Sequence, residues 1–341
     1  MSLPAVGAIA DSLTDLIGRT PLLRLALDGL PADTQVLAKL ESANPLSSVK
    51  DRAALWMIND AEKSGALTPG ATVIESTSGN TGIALAALAA ARGYRCVIVL
   101  PDNASNERVL TLRMLGAEVE FTDHVRGLTG CVERATELQE KISGSWYARQ
   151  HENPANVRAH YESTGPEIWE ATGGSVDWLV CAVGTGGTLT GTARYLREQN
   201  PALKVVAVEP AGSPLLSGGE PGPHRIPGLN GGFTSPVTDL ALIDLVLTVT
   251  DAEAAAATRA LATRSGLLTG VSSGAVTHAC AQLAGLHDLS ASTVVTLFPD
   301  TGERYLSWWR PQDEEAVDTA GAGAAALPAS AVIPAGKEAV A

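Results

Sequence analysis

Aromatic residues make up only 4% of this 341-residue chain, lysines number six, and its four cysteines include no CxxC pair. Each shortage excludes something. With so few aromatics, aliphatic side chains must fill the interior. Cys96, Cys131, Cys181 and Cys280 lie far apart and form no zinc-like grouping with histidines, so no metal site is expected and a reducing compartment fits. Positive charge is also scarce: 24 Lys and Arg against 37 Asp and Glu leave a net charge of −13, which repels nucleic-acid phosphates and anionic lipid headgroups. The segment Met1 to Ile17 lacks the basic region and continuous apolar stretch of a signal peptide. The longest apolar run, Ile83 to Ala91, stops at Arg92. The expectation is a cytoplasmic protein that binds neither nucleic acid nor membrane.

What is present reads as a globular chain. Hydrophobic residues are 45% of the total, with 34 Gly and 19 Pro, and the length suits two domains at roughly 150 residues each. Short β-branched runs alternate with alanine-rich helical stretches: Val36–Glu41, Thr72–Glu75, Cys96–Leu100, Glu118–Phe121, Trp178–Ala182, Lys204–Val208 and Thr293–Leu297. This alternation predicts an α/β fold whose mainly parallel sheet is covered by helices on both faces, with ligand sites beyond the carboxyl ends of the strands. A seam is expected near 150–159, where Asn153-Pro-Ala-Asn156 interrupts the helical pattern. Beyond Arg310 the chain turns acidic and then Ala/Gly/Pro-rich, with too little bulky apolar surface to offset its ordering entropy.

Asn44-Pro-Leu-Ser-Ser-Val-Lys-Asp-Arg52 reads as a strand exit into a helix reaching about Ser64, with Ser47 or Ser48 as N-cap and Lys50 in the first turn. A cation there faces the positive end of the helix dipole, which favours the neutral amine, the form that attacks an aldehyde to make a Schiff base. The plainer reading is an exposed lysine paired with Asp51. Among the six lysines, only Lys39, within an apolar strand, competes with Lys50.

Two loops carry anion-binding chemistry. In Gly184-Thr-Gly-Gly-Thr188, glycines let backbone N–H groups approach closely, threonines add hydroxyls, and the helix Leu189–Gln199 follows, which together form a phosphate cup. It matches neither a Walker loop nor GxGxxG, so a small monophosphate fits better than a nucleotide. A purely structural helix entry is the alternative. Ser76-Thr-Ser-Gly-Asn-Thr-Gly82 feeds the helix at Ile83–Ala91 with uncharged donors suited to a carboxylate, or serves as ordinary Ser/Thr capping.

Together these elements resemble the cysteine synthase (O-acetylserine sulfhydrylase) family of fold-type II pyridoxal-phosphate enzymes. The resemblance runs from about Leu16 to Leu306 and adds Ile17-Gly-Arg-Thr-Pro21, Gln150 with Asn153-Pro-Ala-Asn156, Thr164-Gly-Pro-Glu-Ile-Trp169, Gly270-Val-Ser-Ser-Gly274 and Gly302-Glu-Arg-Tyr-Leu306. It implies a tryptophan synthase β-like fold of two domains, each with a mainly parallel twisted sheet flanked by helices. A smaller mobile domain would span 42–155, a larger cofactor-binding domain 1–41 and 156–310, and a disordered tail 311–341.

By the same resemblance, Lys50 holds pyridoxal 5'-phosphate as a Schiff base, Gly184, Thr185, Gly186, Gly187 and Thr188 bind its phosphate, and Asn80 meets its ring hydroxyl oxygen. Thr77, Ser78, Thr81 and Gln150, with Asn80, bind the substrate. Ser272 faces the pyridine nitrogen. A hydroxyl there does not favour a protonated ring, which discourages a long-lived carbanion and favours loss of a β-substituent. The alternative for Ser272 is an N-cap for a helix over Ser273–Ala284. The implied reaction is β-replacement on an O-activated L-serine, O-acetylserine favoured, through an aminoacrylate intermediate. With sulfide it yields L-cysteine. Alternatives are another nucleophile giving a β-substituted alanine such as a diaminopropionate derivative, a β-eliminating serine/threonine deaminase, or a regulatory binding protein that kept the fold. A homodimer is the family expectation.

The sequence departs from the family pattern at several places. His151 stands where phenylalanine is common, and an imidazole there can alter nucleophile preference, donate a hydrogen bond or simply pack. Pro223–Phe233 replaces a glycine-rich segment, with Pro227 for glutamine and Asn230 where glycine is usual. Relatives that use O-phosphoserine carry arginine near position 227, so its absence argues against that donor, although Arg225 is close. Pro101-Asp-Asn-Ala-Ser105 is expected near the entrance, and Ser307-Trp-Trp-Arg-Pro311 replaces the usual ending.

Overall fold

The computed structural model describes residues 9–309; the acidic and Ala/Gly/Pro-rich tail lies outside the described residues. In chain order the elements are β1 (Leu22–Leu25), β2 (Gln35–Leu40), α1 (Lys50–Ser64), β3 (Thr72–Ser76), α2 (Asn80–Arg92), β4 (Arg95–Pro101), α3 (Asn106–Met114) and β5 (Glu118–Thr122). There follow α4 (Gly127–Lys141), β6 (Trp146–Tyr147), α5 (Pro154–Ala159), α6 (Gly165–Ala171), β7 (Trp178–Ala182), α7 (Gly187–Gln199) and β8 (Lys204–Pro210). The last are β9 (Leu245–Val249), α8 (Asp251–Ser265), α9 (Val271–Leu286) and β10 (Thr293–Phe298).

The strands form two sheets. One has six strands in the order β1-β2-β10-β7-β8-β9 and the other four in the order β5-β4-β3-β6. Every pairing is parallel except β1 with β2. All seven expected strands are present. Three more complete the sheets. β1 is a four-residue antiparallel edge and β6 only two residues, both too short for a periodicity signal; Leu245-Val-Leu-Thr-Val249 of β9 carries the same β-branched signal as the others and could have been read.

The strands lack polar alternation because both faces are buried. In the six-stranded sheet Val180, Val206 and Val208 join one cluster, with Ala254, Val276 and Ala279 from α8 and α9. Their neighbours Leu179, Cys181, Val205 and Ala207 join the opposite cluster, with Leu189, Ala193 and Leu196 of α7. The four-stranded sheet repeats the arrangement: Val73 and Ile98 face α1 and α2, while Ile74, Val97 and Val99 face Cys131, Ala135 and Leu138 of α4. All four cysteines are free and buried.

A buried ionic network fastens α1 to the larger sheet. Arg52 reaches Glu41 and Glu167, each at 2.7 Å, and Lys39 reaches Glu167 at 2.8 Å and the carbonyl of Thr20 at 2.7 Å. Burial works against the charge on Glu41, but the Arg52 guanidinium outweighs it and holds the carboxyl down at about 2. Lys39 is thereby committed to structure. No helix among the described residues is long and apolar enough to cross a membrane.

Candidate active site

Three strand ends and three helix starts converge. β3 runs into the turn before α2, β7 into the glycine loop before α7, and β10 into Pro299 and Asp300. The N–H of Val49 donates to the carbonyl of Pro299 at 2.8 Å, so the start of α1 hangs from the end of β10. This is the carboxyl-end crevice where open α/β sheets gather ligands.

The crevice holds a cavity of about 370 Å³. Its wall includes Lys50, Thr77, Ser78, Asn80, Thr81, Gln150, Gly184, Thr185, Gly186, Thr188 and Ser272. Of the residues expected to bind cofactor or substrate, Gly187 alone is not on that wall; it packs behind it, where a Cβ would collide with the Asn156 amide.

Local structure differs from expectation in small, explicable ways. α1 starts at Lys50 with Val49 as N-cap; Ser47 has a positive φ of 56° and is no cap, while Ser48 Oγ accepts from the Lys50 N–H at 3.3 Å. Asp51 does not pair with Lys50. It is fully buried and accepts from the Leu46 N–H at 2.7 Å and Ser48 Oγ at 3.2 Å, and burial pushes its carboxyl up to about 7. α2 begins at Asn80, before Ile83, and α7 begins at Gly187, before Leu189. The last helix starts at Val271 with Gly270 as N-cap, so Ser272 lies inside it and is not its cap.

Lys50 is half-buried on the cavity wall, and burial pushes its amine down to about 8 while the Asp300 carboxylate pulls the other way. Burial makes the neutral amine accessible.

The glycine loop is a tight cradle. A Cβ at Gly184 would collide with the carbonyl of Gly228, and one at Gly186, whose φ is +81°, with the Thr238 side chain. Behind the loop Asn156 donates to the carbonyl of Gln150 at 2.9 Å and to Thr185 Oγ1 at 3.1 Å, so one buried amide joins the glycine loop to the opposite wall. Thr188 Oγ1 is 3.2 Å from Nε2 of His160, which burial keeps neutral. On the other wall Thr81 Oγ1 donates to Gln150 Oε1 at 2.5 Å, leaving the Gln150 NH₂ as a donor, and Thr77 Oγ1 accepts from the Gly79 N–H at 3.1 Å.

Sequence reasoning missed Asp300. It is 3% exposed on the cavity wall, accepts from Asn80 Nδ2 at 2.6 Å and from the Tyr305 hydroxyl, and its Oδ1 has no partner among the described residues. Arg304 in turn donates to Asn80 Oδ1 at 2.6 Å. Arg304 and Tyr305 lay inside a recognised motif, whereas Asp300 stood just before it with nothing local to mark it. Of the departures from the family pattern, His151 and Pro227 to Gly231 do line the cavity, but Pro101 to Ser105 contributes no wall residue; Arg108 does. Arg225 is not on the wall either and lies over the Trp308 ring at 4.6 Å.

Residues 13–300 match the family model described as pyridoxal-phosphate dependent enzyme. A probable cysteine synthase of Bacillus subtilis is 46% identical over 303 residues, 88% of this chain and 97% of the relative. The chain belongs to the cysteine synthase family of pyridoxal-phosphate-dependent enzymes. Among solved structures, O-ureido-L-serine synthase superposes with a TM-score of 0.86 at 41% identity, covering 93% of this chain and 100% of that one. O-acetyl serine sulfhydrylase isoform 3 from Entamoeba histolytica also gives 0.86, at 37% identity, covering 94% and 98%. The cofactor of the cysteine synthase family suits the residues here: an amine for its aldehyde, a cradle closed to any side chain for its phosphate, and the 5%-exposed Ser272 hydroxyl.

Proposed function

We propose that this protein performs β-replacement on an O-activated L-serine, O-acetyl-L-serine before O-phosphoserine, with sulfide as nucleophile to give L-cysteine. The observation that carries this reading is the meeting of Lys50, the glycine cradle and the Thr77–Thr81 loop in one cavity. Bound pyridoxal phosphate supplies an electron sink for bonds to the α-carbon of an amino acid. In this reading Lys50 holds the cofactor, and Gly184 to Thr188 hold its phosphate through backbone N–H groups at the start of α7. Asn80 orients the ring oxygen and Ser272 accompanies the ring nitrogen without charging it.

Thr77, Ser78, Thr81 and the free Gln150 NH₂ bind the substrate carboxylate, with Asn80 at the same loop. Once its amine is released, Lys50 takes the α-proton and later returns it to the product. An amine pushed down to about 8 is suited to both directions near neutral pH. The unit 42–155 is read as the smaller mobile domain that closes over the carboxylate, against a larger unit of 1–41 and 156–310. The working form is read as a cytoplasmic homodimer, which light scattering on the purified protein tests.

The deciding experiment is a spectral titration of the cofactor-loaded protein with O-acetylserine and then O-phosphoserine. A band shift with the first donor, followed by cysteine on adding sulfide, is the expected result. Pyruvate without any nucleophile, or 2-oxobutyrate when threonine is supplied instead, would mean a deaminase. A second reading, the same chemistry with a different nucleophile, is favoured by His151 and Pro227–Gly231 on the wall.

A further inference from the structure

His151 and the end of the altered segment Pro223–Phe233, far apart in sequence, touch in the fold. The His151 ring lies 5.0 Å from the Phe233 ring at a 53° tilt, and Ser235 Oγ donates to the carbonyl of His151 at 2.6 Å. Gly231 fills the space between Phe233 and Leu128, where a Cβ would come 3.3 and 3.5 Å from their side chains. His151 is therefore clamped by its backbone and by its ring face.

Among the described residues the imidazole itself has no hydrogen-bond partner. Its Nδ1 is shut off from solvent, and Nε2 is the ring nitrogen left open on a residue of the cavity wall. Burial, with Lys50 adding to it, pushes the imidazole down to about 4, so it is neutral near pH 7 and carries one proton. A buried N–H without an acceptor costs more than a buried lone pair without a donor, which puts that proton on Nε2. Asn230, another polar side chain of the cavity wall, is already used: it donates to the Ser213 carbonyl at 2.8 Å and accepts from Ser213 Oγ at 3.2 Å.

We infer that His151 is a specificity residue for the incoming nucleophile, and that its Nε2–H holds a small uncharged nucleophile bearing an acceptor oxygen beside the attacking atom. This rests on the β-replacement reading and deepens its second form, the same chemistry with a nucleophile other than sulfide. The imidazole exchanges no proton in the reaction; it orients the nucleophile by one hydrogen bond, in a cavity that Leu128, Asn230 and Gly231 also line. Sulfide has no second acceptor beside its attacking sulfur, so the N–H can be met only by the atom that must attack. A site built to hydrogen-bond its ligand discriminates against one that cannot reply.

The test uses full-length, cofactor-loaded protein with O-acetylserine and either N-hydroxyurea or sulfide, each product quantified by mass spectrometry. In His151→Phe the ratio of kcat/KM for N-hydroxyurea to that for sulfide is expected to fall at least tenfold, through KM. His151→Gln, which restores an N–H donor, is expected to recover most of that ratio. An unchanged ratio in His151→Phe, a glutamine variant no better than phenylalanine, or a wild-type protein that gives no product with N-hydroxyurea while making cysteine would overturn the inference. The band shift with O-acetylserine alone reports separately on the reaction type: if the wild type lacks it, β-replacement falls first and this subsite falls with it.

Discussion

Asn80 and Asp300, 220 residues apart, share a hydrogen bond of 2.6 Å in which the Asn80 amide donates to the carboxylate. Arg304 donates to the other end of the same amide at 2.6 Å. The Asn80 side chain is thus held by a cation at its oxygen and an anion at its nitrogen. It cannot flip without breaking both, and one Nδ2 hydrogen remains for a ligand in the cavity.

Asp300→Asn should therefore loosen Asn80 and remove the carboxylate that opposes the lowering of the Lys50 pKa. Losing a buried charge-assisted hydrogen bond costs about 1–3 kcal/mol. Fluorescence titration is expected to show cofactor affinity lowered roughly 5- to 150-fold. Unaltered affinity would mean that Asp300 is not needed to position Asn80.

Lys50→Ala removes the amine on which the proposed chemistry depends. The band shift with O-acetylserine should vanish and turnover should fall by about 10²–10⁴, the usual worth of a positioned acid–base group. Borohydride reduction of the wild-type protein followed by peptide mapping is expected to place the pyridoxyl group on Lys50. A label elsewhere would reassign the residue.

Gly186→Ala meets two obstacles. Its φ of +81° is costly for any side chain, and the added methyl would strike Thr238. A cost of about 1–3 kcal/mol falls on the cradle. The expected outcome is weaker binding of the cofactor with the protein still folded, checked by comparing melting temperature with and without added pyridoxal phosphate.

Two buried carboxyls give stability opposite slopes with pH. Glu75 accepts from the N–H groups of Ser76 at 2.8 Å and Gln150 at 3.1 Å, yet burial raises it from 4.5 to about 7. Its contribution is complete below pH 4.5 and is lost as pH rises through 7. Glu41, held at about 2, contributes fully above pH 4.5 and loses that contribution as pH falls through 2. Thermal melts across pH 4 to 8 are expected to lose part of their downward slope in Glu75→Gln. A wild-type curve flat from 4.5 to 7 would contradict the raised value.

The cavity residues differ in how visible they were. Lys50, the Thr77–Thr81 loop and the Gly184–Thr188 loop could be found because a strand end, a glycine cluster and a helix start are local patterns, each set by a few neighbouring residues. Asp300 and Asn156 could not be assigned roles that way. Asp300 matters through Asn80 and Tyr305, and Asn156 through Gln150 and Thr185; both depend on which loops meet. Lys39 shows the converse. Its place in an apolar strand was legible, but its commitment to Glu167 depended on α6 docking beside β2.

By itself the sequence determined the alternation of strand and helix, the parallel core and the chemical character of each loop, because backbone propensity and apolar periodicity are short-range properties. Tertiary structure decided how burial lowers the Lys50 amine, which acid faces it, and that the His151 ring packs against Phe233. Desolvation and pairing arise only when residues distant along the chain exclude water together.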